Sequence, residues 1–94
     1  MRNEMITLID KLQSAHIPFE VVETFNSPQV FYPNYDNPKC DVICHKYSYG
    51  GNEGLLEIMG LLTEEEEERD GVAGWLTANN VFARIYIDYI NSAD

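Results

Sequence analysis

Hydrophobic residues recur at helical spacing near both ends of the chain. The first stripe consists of Met5, Leu8, Ile9 and Leu12. It predicts an amphipathic helix over residues 3–15, with Asn3 as its N-cap. The second stripe consists of Val81, Phe82, Ile85, Tyr86, Tyr89 and Ile90. It predicts a second helix over residues 78–91, for which Thr77 is the N-cap.

The middle of the chain has the composition of β-strands. Three segments are rich in β-branched and aromatic residues: FEVVETF from residue 19, QVFY from residue 29 and KCDVICHKY from residue 39. They predict three strands separated by turn formers. A fourth segment, GLLEIMGLL from residue 54, is either a strand or a short buried helix. The flanking Gly54 and Gly60 and the lack of a helix cap favour the strand.

The order of these elements predicts an α+β fold. It consists of a three- to four-stranded antiparallel sheet with the N-terminal and C-terminal helices packed on one face. The length of 94 residues fits a single domain, 1–94. The other sheet face is then uncovered, and alternation along the third strand places Asp41, Ile43, His45 and Tyr47 on it. Such a mixture is typical of a surface that a partner protein or a second copy of the chain covers.

The composition indicates a packed and strongly acidic globule. The chain is 45% hydrophobic, and 16 Asp and Glu against 6 Lys and Arg give a net charge of −10. Direct binding to DNA or RNA is not expected, because affinity for phosphates comes mainly from Lys and Arg. No apolar run approaches the roughly 20 residues of a membrane span, so we expect a soluble, intracellular protein. The single tryptophan, Trp75 in the connection GVAGWLT, is expected to fill the core.

The segment TEEEEERD, from residue 63, concentrates the negative charge. Such a run is ordinarily a solvated loop or one exposed helical turn. It also provides a surface that attracts a basic groove on another protein and occupies the place of nucleic acid there. The candidate protein-binding residues are Glu64, Glu65, Glu66, Glu67, Glu68 and Asp70.

The glycine-rich segment KYSYGGNEG, from residue 46, raises the question of a phosphate cradle. Phosphate loops present backbone N–H groups at a helix N-terminus, usually with a nearby cation, whereas here glutamates stand at positions 53 and 57 and no cation follows. A strand-to-strand loop with glycines at positive φ is the simpler interpretation. Polar and aromatic side chains at its mouth still make it the candidate ligand-binding site: His45, Lys46, Tyr47, Ser48, Tyr49 and Asn52.

Neither a metal centre nor a catalytic site is expected. On one strand Cys40 and Cys44 would lie roughly 13 Å apart, too far for a disulfide, and His45 would point to the opposite face. Both cysteines are therefore predicted to be buried, apolar core residues. Ser48 lies three residues from His45, but YSYGG is not the nucleophile elbow G-x-S-x-G. We expect a non-enzymatic protein without cofactors.

The region from residue 41 to about 85 resembles a family of small proteins encoded by tailed phages and prophages of Firmicutes. The shared pattern contains H-x-x-S-Y-G-x-x-x-G-L-L-E-I-M-G-L-L, then acidic residues, then G-W-L-T-A-x-x-V-F-x-R-I. Asn79 and Asn80 stand where the family has acidic residues. Because position 80 is neither Glu nor Gln, a capping box at Thr77 is weakened. The resemblance implies no particular activity.

Charge and resemblance together suggest a phage accessory protein that acts in the cytoplasm of the infected bacterium. The first hypothesis is that it binds and antagonises a host defence or nucleic-acid-binding protein through its acidic surface. The alternative is a small-ligand binder, such as a sponge for a nucleotide signal, built on the 45–54 loop. An anionic ligand would need cations besides Lys46, and these would come from Lys39, Arg69 or Arg84.

Overall fold

A computed structural model describes residues 3–24 and 26–92. The fold is α+β, as predicted. Its elements in chain order are α1 (Glu4–Ser14), β1 (Glu20–Thr24), β2 (Ser27–Tyr32), β3 (Cys40–Ile43), a 3-10 helix (Gly51–Glu53), β4 (Leu56–Met59), α2 (Glu64–Arg69), β5 (Ala73–Leu76) and α3 (Ala78–Ser92). The segment that was ambiguous between strand and helix is the strand β4. None of the helices in the described ranges combines the length and apolar composition needed to cross a bilayer.

The sheet has five antiparallel strands in the order β1-β2-β3-β4-β5, so each strand pairs with its neighbours in sequence. The three central strands are aligned by the pairs Val30–Val42 and Val42–Ile58. All three of these side chains are fully buried on the face that the helices cover. The connections from β1 to β2 and from β2 to β3, of two and seven residues, are too short for a crossover, which takes about a dozen residues or more.

The prediction of three or four strands was wrong by one strand, because β5 was interpreted as a connection. Only Ala73 of β5 is buried, and the pairing of β5 with β4 contains a bulge between Leu56 and Ile58. Trp75 does not fill the core either: it is 62% exposed, and its φ of 60° lies in the left-handed region. A short strand with a glycine, a bulge and an outward tryptophan lacks the alternation by which strands are recognised.

One hydrophobic core joins the terminal helices to the inner face of the sheet. The helices contribute Met5, Leu8, Leu12, Ala78, Val81 and Ile85. At the end of α3, Asp88 accepts hydrogen bonds from the Tyr32 hydroxyl at 2.7 Å and from Lys39 Nζ at 3.0 Å. The bond from Tyr32, followed by the interaction with Lys39, holds the pKa of Asp88 below its usual value. These contacts fix the last turns of α3 to β2 and to the residue preceding β3.

The helix ends are determined by local hydrogen bonds. Asn3 caps α1 as predicted, because its side chain accepts a 2.7 Å bond from Met5 N–H. The helix ends in a Schellman motif, in which His16 has a φ of 58° and Ile17 N–H donates to the carbonyl of Leu12. Pro18 follows, as expected for a chain that leaves a helix.

The weakened capping box at Thr77 is present after all. Asn80 N–H donates to Thr77 Oγ1 at 3.2 Å, and Thr77 N–H donates to Asn80 Oδ1 at 3.1 Å. The asparagine amide oxygen thus takes the role that Glu or Gln usually has at this position of the helix. The expectation that asparagine would weaken the box was wrong, because its shorter side chain still reaches the N-cap backbone.

Cys40 and Cys44 are buried free thiols, as predicted. Burial is the main reason that the pKa of the Cys40 thiol rises to about 12, and burial also raises the pKa of Cys44. Both sulfur atoms therefore remain protonated and unreactive at neutral pH. In the described ranges, no group of three or more His, Cys, Asp or Glu side chains is arranged to hold a metal ion.

Candidate functional site

Of the two forms predicted for the acidic segment, a solvated loop or an exposed helical turn, the structure has the helix α2. Thr63 is its N-cap: Glu66 N–H donates to Thr63 Oγ1 at 3.2 Å, and Thr63 N–H donates to Glu66 Oε1 at 2.9 Å. This is a complete capping box, which the spacing T-x-x-E indicates in the sequence. Acidic residues in the first turn further stabilise α2 by interacting with the helix dipole.

Glu66 differs from the other glutamates of α2 because it is held inside the structure. Its two oxygens accept hydrogen bonds from the Arg84 guanidinium at 2.8 and 2.9 Å. Arg84 also donates to the Leu61 carbonyl at 3.1 Å. The bonds from Arg84 and the Thr63 backbone lower the pKa of Glu66 to about 2. Glu66 therefore anchors α2 to α3, and its carboxylate is already occupied by Arg84.

The remaining glutamates of the run, Glu64, Glu65, Glu67 and Glu68, are exposed. Because successive helical residues are rotated by about 100°, these four occupy one side of α2, roughly 160° wide, and Glu66 points away from them. We call these four residues the acidic helix surface. Asp70 follows the helix and lies 3.6 Å from Arg69 Nε, in an exposed and weak ion pair.

A cavity of about 350 Å³ lies between α2, β5 and the glycine-rich loop. Its walls are Tyr49, Glu66, Arg69, Asp70, Val72, Ala73, Gly74, Trp75 and Leu76. Tyr49 from the predicted ligand loop and Glu66 and Asp70 from the predicted protein-binding segment therefore meet at one place. Sequence reasoning missed the contribution of Trp75, because it assigned this side chain to the core.

The glycine-rich loop is packed against β5. Gly50 and Gly54 have φ values of 88° and 76°, so the prediction of positive-φ glycines is confirmed. A Cβ on Gly50 would lie 2.9 Å from the Trp75 Cα, and Trp75 N–H donates to the Tyr49 carbonyl at 3.1 Å. The loop is thus shaped by its contact with the fifth strand.

The six candidate ligand residues are not equivalent. Ser48 is buried and bonded to the His45 backbone on both sides, because its Oγ accepts from His45 N–H and donates to the His45 carbonyl. His45 is half-buried, and the others, Lys46, Tyr47, Tyr49 and Asn52, are exposed. Of the six, only Tyr49 lines the cavity. Ser48 thus stabilises the loop, and Tyr49 is the member best placed to contact a ligand.

The cations that an anionic ligand would need are mostly engaged elsewhere. Lys39 is paired with Asp88, and Arg84 with Glu66. Lys46 lies 5.2 Å from the centre of the Tyr47 ring. Of the three distant cations suggested by the sequence, Arg69 alone lines the cavity.

The sheet face opposite the helices forms a second surface, which we call the open sheet face. Alternation and register place on it Glu20, Val22, Gln29, Phe31, Asp41, Ile43, Glu57 and Met59. The Tyr35 ring packs edge-on against Phe31, with centroids 4.9 Å apart. Met59 is 55% exposed. This face combines apolar side chains with carboxylates. The prediction for the third strand is correct for Asp41 and Ile43 but wrong for His45 and Tyr47, because β3 ends at Ile43 and these two residues belong to the loop that follows.

Comparisons of the chain with protein-family models, with curated proteins and with solved structures found no match. The function is therefore inferred from the two surfaces and the cavity.

Proposed function

We propose that this chain is a non-enzymatic protein that binds and blocks a basic protein, with the acidic helix surface as its contact. The observation that carries the proposal is the arrangement of Glu64, Glu65, Glu67 and Glu68, four exposed carboxylates on one side of a short helix. The resemblance to phage-encoded proteins supports a host defence or nucleic-acid-binding protein as the target, in the cytoplasm of the infected bacterium.

The charge of this surface suits a partner that normally binds phosphates. A groove built to hold nucleic acid is lined by Lys and Arg, and a dense row of carboxylates competes for the same cations. With a net charge of −10 on the whole chain, the long-range field steers a basic partner toward the protein. Binding should therefore be fast at low salt and should weaken as salt screens the charges.

The helix is preorganised for this role. The capping box fixes the start of α2, and the bidentate contact between Glu66 and Arg84 fixes its orientation on the fold. A rigid helix loses little conformational entropy when it binds, so more of the electrostatic attraction appears as affinity. Glu66 thus supports the surface without being part of the contact.

The test compares two variants with the same change in net charge. The first, E64Q/E65Q/E67Q/E68Q, neutralises the acidic helix surface. The second neutralises four exposed acids elsewhere, as D10N/E23Q/D36N/E53Q. Wild-type protein and the second variant are expected to retain the same basic protein from a host lysate at low salt and to release it at high salt. The first variant should retain much less.

Two outcomes contradict the proposal. One is equal retention by both variants, which would mean that the position of the charges is irrelevant. The other is retention that does not respond to salt, which would exclude an electrostatic contact.

A small-ligand binder is the second candidate, and the cavity between Tyr49 and Trp75 favours it. Two exposed aromatic rings suit stacking on a flat base, and Arg69 supplies one cation for an anionic group. Trp75 is the single tryptophan, so its fluorescence reports directly on this cavity. Saturable quenching by adenosine monophosphate that is lost in R69Q would support this function. A linear response, or one that R69Q leaves unchanged, would exclude it.

A further inference from the structure

The centre of the open sheet face holds a carboxylate without a cation. Asp41 lies on the middle strand, and its cross-strand neighbours on this face are Phe31 and Met59. The Asp41 side chain is half-buried, and Gln29 Nε2 donates to its Oδ2 at 2.8 Å. Across residues 3–24 and 26–92, no lysine or arginine lies within ion-pair distance of it.

The other acids of this face lie nearer its rim and are held by backbone groups. Glu20 accepts a hydrogen bond from Tyr35 N–H at 2.7 Å, and Glu57 accepts one from Tyr49 N–H at 2.7 Å. None of the five strands, all within the described ranges, contains a lysine or arginine. Every ionisable side chain that the strands place on this face is therefore a carboxylate, and Asp41 at its centre is flanked by the apolar residues Phe31 and Met59.

This arrangement costs stability within the isolated chain. A carboxylate can accept about four hydrogen bonds, and a half-buried one loses water that a single amide only partly replaces. Burial accordingly raises the pKa of Asp41, an effect that the bond from Gln29 partly offsets. A neutral residue at position 41 would be better for folding alone, so the charge needs another explanation.

We propose that the open sheet face docks a basic and apolar surface of the partner protein, with Asp41 pairing an arginine or lysine side chain that enters between Phe31 and Met59. This inference rests on the proposed function, because it assigns a second contact to the same basic partner. The aliphatic stem of the incoming residue would pack on Phe31, Met59 and Ile43, while its charged head reaches the carboxylate. Such an anchor at the middle of an apolar patch has the character of a binding hot spot.

Charge complementarity argues against a second copy of the chain as the occupant. A two-fold interface buries the same patch of both subunits, so the carboxylates of Glu20, Asp41 and Glu57 from both copies would lie in one interface to which the strands contribute no cation. Like charges brought together in a desolvated interface repel one another and weaken the association. A basic partner removes that repulsion and supplies the missing cation.

The experiment uses a defined cationic probe and its neutral isostere. Backbone amide NMR signals of the full chain are followed during titration with acetyl-arginine amide and, separately, with acetyl-citrulline amide. For the arginine probe we expect saturable shifts at Phe31, Asp41, Ile43 and Met59, with at least about fivefold weaker affinity in D41N. The citrulline probe should produce little change. The matched control is D36N, which neutralises an exposed acid in a loop and should leave the response unchanged.

A second readout separates binding from folding. D41N should be at least as stable as the wild type in urea denaturation, because it removes a half-buried charge, even though it binds the probe less well. Equal shifts from both probes, unchanged arginine affinity in D41N, or arginine shifts confined to α2 would each overturn the inference. A dimer in sedimentation equilibrium that D41N strengthens would overturn it as well, because a second copy would then be the occupant.

The same variants distinguish this inference from the proposed function. If D41N leaves retention of the basic host protein unchanged while E64Q/E65Q/E67Q/E68Q abolishes it, the open sheet face is not a contact and the acidic helix surface is. If the opposite pattern is found, the contact is the sheet face and the role assigned to α2 is wrong.

Discussion

Glu66 and Arg84 join α2 to α3 through two parallel hydrogen bonds of 2.8 and 2.9 Å. The two side chains are 17% and 23% exposed, so water screens the pair only in part. Since α2 itself buries no side chain, this ion pair and the capping box are the main contacts that position the acidic helix surface. One glutamate of the run therefore has a structural role, and its four neighbours remain available to a partner.

Replacing Glu66 with glutamine should lower the free energy of unfolding by about 2 kcal/mol, because a bidentate, charge-assisted contact is lost and Arg84 is left without its partner. Glu68 provides the matched control, since it lies on the same helix and is exposed. E68Q should change stability by less than about 0.5 kcal/mol. Urea denaturation followed by circular dichroism measures both, and equal effects of the two variants would show that the ion pair contributes nothing.

The same contact predicts a pH dependence of stability. The pKa of Glu66 falls from its ordinary value of 4.5 to about 2 in the folded chain, so between these values the unfolded chain binds more protons. The contribution of Glu66 is thus complete above about pH 4.5 and is lost as pH falls through about 2. Wild-type stability should decrease over that range more steeply than that of E66Q. Parallel pH profiles for the two proteins would contradict this assignment.

Gly50 and Gly71 allow backbone strain to be separated from steric contact. Both have positive φ, 88° and 72°. A Cβ on Gly50 would lie 2.9 Å from the Trp75 Cα, whereas a Cβ on Gly71 would meet nothing within 4 Å. G71A should therefore cost about 1 kcal/mol from the left-handed conformation alone, and G50A about 2 kcal/mol or more. If both cost the same amount, the glycine loop is not packed tightly on β5.

The terminal helices were predictable because their signals are local. The stripes that contain Leu8 and Ile85 repeat at helical spacing, and Asn3 caps the first helix through its own side chain. The sheet core followed for a similar reason, since alternation around Val42 marks which side chains are buried. The inner face of the fold can be read from periodicity because burial itself imposes that periodicity.

The candidate site was less predictable because it depends on contacts between distant segments. Nothing in the run of glutamates shows that Glu66, and not Glu65, meets Arg84, 18 residues away. Glu66 is the glutamate that faces Arg84 because α2 is helical, and the spacing T-x-x-E indicates where this helix begins. Likewise, the contact between Tyr49 and Trp75 depends on β5. That strand could not be recognised in the sequence because its glycine and the bulge in its pairing with β4 interrupt the alternation of a regular strand.

Trp75 offers a test of β5. At this position glycine is expected to give a more stable protein than alanine, which is the reverse of the usual order in a strand. In an ordinary strand, glycine is less favourable than alanine by about 0.5–1 kcal/mol. At a φ of 60°, alanine should instead be worse than glycine by about 1 kcal/mol, because its Cβ crowds the backbone. Since W75A and W75G both remove the indole ring, any contacts of that ring cancel in the comparison. We therefore expect W75G to be more stable than W75A in urea denaturation followed by circular dichroism.

The control pair is M59A and M59G at an exposed position of β4, where alanine should be the more stable. If alanine is the more stable residue at both positions, Trp75 does not adopt the left-handed conformation, and the cavity beside it has a different shape.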